Sequence, residues 1–88
     1  MAWSIVHNTA LQRFQIEVGE QVAVLNYHLR GRTMIFTHTG VPPALEGRGI
    51  GSALVRAGLT YARDHGYAID ARCSFVVAYL RRHPEFAS

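Results

Sequence analysis

Apolar and polar residues alternate through the first half of the chain. In Phe14-Gln15-Ile16-Glu17-Val18 every second residue is apolar, the period of a strand with one buried face. Gly19-Glu20 reads as a turn. From Gln21 to Arg30, Val22, Val24, Asn26 and His28 fall on one side and Ala23, Leu25, Tyr27 and Leu29 on the other, so a central strand or one buried on both faces is expected. After a turn at Gly31-Arg32, the β-rich run Thr33 to Thr39 closes at Gly40 and Pro42-Pro43, which lack ladder amides. A short opening strand near Ser4 to His7 completes an antiparallel meander.

The period then changes. Ile50, Leu54, Ala57 and Tyr61 recur at helical spacing, Val55, Leu59 and Ala62 widen the apolar stripe, and Arg56, Arg63 and Asp64 face elsewhere. Gly66 suits the left-handed position after the helix. Tyr67 to Arg72 reads as a short strand. Ser74 is placed to cap a second helix with Phe75, Val77, Tyr79 and Leu80, stopped by Pro84. The order β-β-β-β-α-β-α predicts a single α+β domain over residues 1–88, with a mixed, mostly antiparallel sheet. Phe86 is expected to fold back on the sheet, and Trp3 to close its other edge.

Composition narrows the chemistry. With 88 residues, 49% hydrophobic and 17% charged, the chain can cover one core and lacks the composition of a disordered segment. Its basic residues are all arginine, so lysine Schiff-base chemistry is excluded. The net charge of +3 admits nucleic acid, but the arginines are scattered without interleaved aromatics, and that reading becomes a minor one. The single cysteine, Cys73, forms no internal disulfide, and no run approaches a membrane span, so a cytoplasmic protein is expected. The histidines have no metal-ligand spacing, and no metal site is expected.

The strongest local signal is Leu45-Glu46-Gly47-Arg48-Gly49-Ile50-Gly51-Ser52 between the β-rich half and the long helix. Its glycines let a ligand approach the backbone, and the first helical amides lack intrahelical acceptors. Such a loop either makes a tight turn or holds an anion, with Arg48 adding positive charge. A P-loop needs the lysine this chain lacks, and Gly47-x-Gly49-x-Gly51 is not the dinucleotide spacing.

Glu46, Gly49 and Gly51 stand where the Q/R-x-x-G-x-G/A motif of the GNAT superfamily of N-acetyltransferases has its defined positions, with Glu46 replacing the usual Gln or Arg. Thr37-His38-Thr39-Gly40-Val41-Pro42-Pro43 and the segment Cys73 to Phe86 extend the resemblance, which is to small stand-alone GNAT-like proteins and covers nearly the whole chain. It implies a minimal fold without the N-terminal helices that shape an acceptor pocket, binding acetyl-CoA or coenzyme A. Gly47, Arg48, Gly49, Ile50, Gly51 and Ser52 would hold the pyrophosphate. Phe36, Thr37 and His38 would meet the pantetheine arm where two parallel strands splay apart.

The resemblance also implies catalytic candidates for transfer to an unidentified amine. His38 is the candidate base, since histidine exchanges protons near neutrality, or it is a solvent-facing strand residue. Gly40 stands where related sequences carry an acid. Tyr79 either protonates the departing thiolate or packs in the core. Cys73 either accepts the acyl group or is a small buried hydrophobe. The alternative function is a non-catalytic acyl-CoA-binding or sensing module. Acceptor, acyl-chain preference and oligomeric state are not legible.

Overall fold

The computed structural model describes residues 3–86. Strands β1 (Ile5–Asn8), β2 (Arg13–Val18), β3 (Gln21–Arg30) and β4 (Thr33–Gly40) form an antiparallel meander. Helix α1 (Ile50–Asp64) then crosses to β5 (Ala68–Ala71), which pairs parallel to β4, and α2 (Ser74–Arg82) follows. The sheet order is β1-β2-β3-β4-β5. This is the expected α+β order. Two short 3-10 turns, Pro43–Leu45 and Pro84–Phe86, occupy proline segments expected to be loop and helix stop.

One sheet face makes the core. Phe14, Ile16, Ala23, Leu25, Tyr27, Met34 and Phe36 project toward α1, which returns Ile50, Leu54, Val55, Leu59 and Ala62. Burying Leu54, Val55 or Leu59 contributes about 1.5–3 kcal/mol each. Helix α2 lies beside α1 and adds Val76 and Tyr79. Phe86 packs 6.3 Å from Tyr79, with the guanidinium of Arg63 at 5.1 Å from its ring, so the tail closes on the helices and not on the sheet. Helix α1 ends in a Schellman closure, Gly66 N–H donating to Arg63 O and Tyr67 N–H to Ala62 O.

Strand β3 is central, as expected, but only one of its faces is buried. Ala23, Leu25 and Tyr27 are enclosed on one face, while Val22 and His28 on the other are exposed. No helix among the described residues covers the opposite face, where Arg13, Gln15 and Glu17 of β2 form a hydrogen-bonded chain, Arg13 Nε to Gln15 Oε1 at 2.8 Å and Gln15 Nε2 to Glu17 Oε2 at 3.0 Å. Ser74 does not cap α2. Cys73 occupies the N-cap with extended backbone, and Ser74 is already the first helical residue.

Candidate functional site

Strand β4 carries one residue too many for its partner. Tyr27 pairs with Phe36 but Asn26 pairs with His38, so Thr37 is the extra residue of a β-bulge. The bulge reverses the alternation of side chains. Met34 and Phe36 face the helices, and after Thr37 it is Thr39, opposite Leu25, that continues on that side, while His38 and Gly40 turn to the uncovered face.

The parallel pairing with β5 ends at the same place. Its register runs from Thr33 with Ala68 to Phe36 with Ala71, and the Arg72 amide then donates to the Phe36 carbonyl at 2.9 Å. Among the described residues no further backbone hydrogen bond joins the two segments, although β4 continues to Gly40. Phe36 is fully buried and forms the base of this fork, whereas Thr37 and His38 are exposed within it.

At the mouth of the fork lies a cavity of about 590 Å³. Thr39, Gly40 and Val41 form one wall, Leu45, Glu46, Gly47 and Gly49 another, and Ile50, Gly51, Ser52 and Phe75 the rest. Gly49 is the N-cap of α1 at φ 78°, and Gly47 has φ 82°, left-handed conformations that favour glycine. Among the described residues no side chain caps the helix. Its first hydrogen bond runs from Ala53 N–H to Gly49 O at 3.0 Å, so the preceding amides of Ile50, Gly51 and Ser52 have no acceptor within the helix. A Cβ at Gly47 or Gly49 would meet nothing within 4 Å, and one at Gly51 would stand 2.8 Å from the Phe75 ring. This open, donor-rich cradle fits a diphosphate. Arg48 is exposed and does not line the cavity, while the carboxylate-bearing Glu46 does.

The catalytic candidates divide between the two sheet faces. Cys73 lies between β5 and α2, where as a thiol it donates to Thr39 Oγ1 at 3.5 Å. Burial alone would raise its pKa, but the Thr39 hydroxyl and the amides of Val76, Phe75 and Thr39 favour the thiolate more strongly, and the thiol sits below its ordinary value. His38 is exposed on the opposite face. A Cβ on Gly40 would lie only 3.0 Å from His38 Nε2, so the imidazole fills the space an acid at position 40 would use. Tyr79 is 3% exposed, stacks on His83 at 4.1 Å and does not line the cavity. Sequence reasoning missed Thr39, Gly40, Val41, Leu45 and Phe75 as cavity walls. Among the described residues, no group of three or more His, Cys, Asp or Glu side chains is arranged to hold a metal ion, and no helix is long and apolar enough to cross a membrane.

A sequence model of the GCN5-related N-acetyl-transferase family matches residues 13–88. The chain is also similar to Protein NATD1 of Mus musculus and of Xenopus tropicalis, 26% identical over 83 residues in each case, covering 91% of this chain and 76% of the relative. Protein NATD1 of Homo sapiens is likewise 26% identical, with 74% of its length covered.

Proposed function

Since this chain belongs to the GCN5-related N-acetyltransferase family, we propose that it binds acetyl-CoA at the Gly47–Ser52 loop and passes the acetyl group to an amine. The observation that carries the reading is the uncapped start of α1 opening into the same cavity as the unpaired end of β4. The amides of Ile50, Gly51 and Ser52 would bind the diphosphate, and the open backbone of Thr37 to Thr39 would align the pantetheine arm. When bound, acetyl-CoA supplies an acyl group activated as a thioester.

His38 would take the proton from an amine arriving on the uncovered face, so acceptor and cofactor approach the fork from opposite sides. The Cys73 thiolate offers a second route. Its sulfur would form a thioester with the acetyl group as the bond to the CoA sulfur breaks, and the released CoA thiolate takes a proton from water. Tyr79 would act as a packing residue.

Two observations favour a second reading, a non-catalytic acyl-CoA-binding module. Gly40 offers no acid, and no helix among the described residues builds a wall for an acceptor. Release of CoA thiol, measured with acetyl-CoA and a panel of amines, separates the two. Acetyl transfer predicts release proportional to protein and reduced at least about tenfold by His38→Ala or Cys73→Ser, with intact-mass spectra assigning the route through an added acetyl group on Cys73. Tight binding of acetyl-CoA without release supports the binding module instead.

A further inference from the structure

A second cavity, of about 640 Å³, lies on the other flank of α1 and shares no lining residue with the first. Strand β1 is the sheet edge, and α1 does not fully cover its helix-facing side. Ile5 and His7 remain partly exposed there, with Trp3 just before them. Across the gap α1 presents Ala53 and Ala57, one turn apart, and their small side chains leave the groove open.

The floor is aromatic. The His7 ring stacks on Phe14 with centroids 4.1 Å apart and meets Tyr61 edge-on at 4.5 Å, and Tyr61 stacks on His65 at 3.9 Å. His7 Nε2 is engaged with the Tyr27 hydroxyl at 2.6 Å, which holds the ring in place. Burial, and then the charge of His65, lower the His7 pKa, so the imidazole is neutral at neutral pH and gives the floor an apolar, stackable surface.

The rim supplies the sign. Asp64 lies on it, but its carboxylate is engaged by Arg63 Nε at 3.5 Å. Arg56 also lies on it, and among the described residues no carboxylate comes within 4.0 Å of its guanidinium. Its neighbour is the Phe86 ring, 5.9 Å from the guanidinium carbon. A flat aromatic body would therefore be received by Trp3, Tyr61 and the alanines, and a negative head by Arg56. The volume falls within the range of small-molecule sites, which combine apolar walls with few directed polar groups.

We propose that the groove between β1 and α1 is a second ligand site, for a small planar aromatic carboxylate, with Arg56 holding the carboxylate and the Trp3–Tyr61 walls holding the ring. The site is independent of the acetyl-CoA reading, because it uses none of the loop residues.

Trp3 is the sole tryptophan, so its indole N–H gives one NMR cross-peak from a residue that lines the groove. The probes are naphthalene-2-carboxylate and, as its charge-reversed counterpart, 2-naphthylmethylamine, each titrated to about 5 mM. The carboxylate should shift the Trp3 indole peak and the Ala53, Ala57 and Tyr61 amides along one saturable curve and leave the Gly47 and Gly49 amides in place. Arg56→Gln should weaken it at least about fivefold, and Ala57→Leu, which fills the groove from a partly exposed position, should abolish the response while the remaining spectrum stays folded. The proposal is overturned by no saturable shift, by equal or tighter binding of the amine, by unchanged affinity in Arg56→Gln, or by groove peaks that move with protein concentration alone, which would make the groove a self-association surface.

Discussion

Cys73 is a thiol whose surroundings act in two directions, burial disfavouring the thiolate and four hydrogen-bonding groups favouring it. The second influence wins, so its alkylation by iodoacetamide should follow a pH profile with a midpoint below that of an unstructured cysteine peptide. Thr39→Val removes the hydroxyl at 3.5 Å and should move that midpoint upward. A profile unchanged by Thr39→Val would contradict the assignment. Glu46 stands at the glycine-rich loop. Glu46 lines the cavity proposed for a diphosphate, and its carboxylate would repel that charge, so Glu46→Gln should tighten CoA binding by about three- to tenfold at low salt, with the gain shrinking as salt is added. Isothermal calorimetry at two ionic strengths checks this. The glycine loop was visible in the sequence because glycines at alternate positions mark a tight turn, and Gly47 and Gly49 do adopt left-handed backbone. The orientation of His38 was not. Counting from Met34 and Phe36 by twos places it toward the helices, and only the pairing of Asn26 with His38 reveals the bulge that turns it away.

Among the elements, α1 does two jobs through glycines that a periodicity plot treats alike. Gly51 faces the cavity, and an added Cβ would meet the half-exposed Phe75 ring at 2.8 Å, which can swing aside. Gly58 faces the sheet, where a Cβ would stand 2.8 Å from Leu25 Cδ2 and 2.9 Å from Phe36 Cε1, both fully buried. Gly58→Ala should therefore cost about 1–3 kcal/mol in urea denaturation with CoA affinity retained in the folded fraction. Gly51→Ala should keep stability within about 1 kcal/mol and weaken CoA binding. Equal stability losses would contradict the division. Helices and strands were legible to within a residue or two because their periods are set by one-sided burial. The caps were less so. Ser74 has the right side chain for an N-cap, but the chain leaves β5 extended through Cys73 at φ −93°, ψ 130°, which moves the cap one residue back.

Among the described residues both helices lie on one side of the five-stranded sheet, and stability should track pH through the aromatic cluster at the β1 edge. His7 is held below its ordinary pKa of 6.5, first by burial and then by His65. The unfolded chain thus binds the proton more readily, and the stabilisation is fully present above 6.5 and lost as pH falls through the lower folded value. The melting temperature should drop between about pH 7 and pH 5, and His7→Phe should flatten this limb while lowering stability at neutral pH by loss of the 2.6 Å bond to Tyr27. An unchanged slope in His7→Phe would assign the acid sensitivity elsewhere. The layered α+β architecture was readable from the change of period at Gly49. Burial on both faces of β3 was not borne out, because a strand with apolar residues on both sides can be central in the sheet order and still have one face open.

In the proposed function, the main-chain amides at the start of α1 would grip the diphosphate of coenzyme A. Amide hydrogen exchange with and without saturating CoA tests it residue by residue. Exchange should slow at Gly49, Ile50, Gly51 and Ser52 and at the forked end of β4, with β1 and β2 unchanged. CoA binding that leaves those loop amides as exposed as before would contradict it.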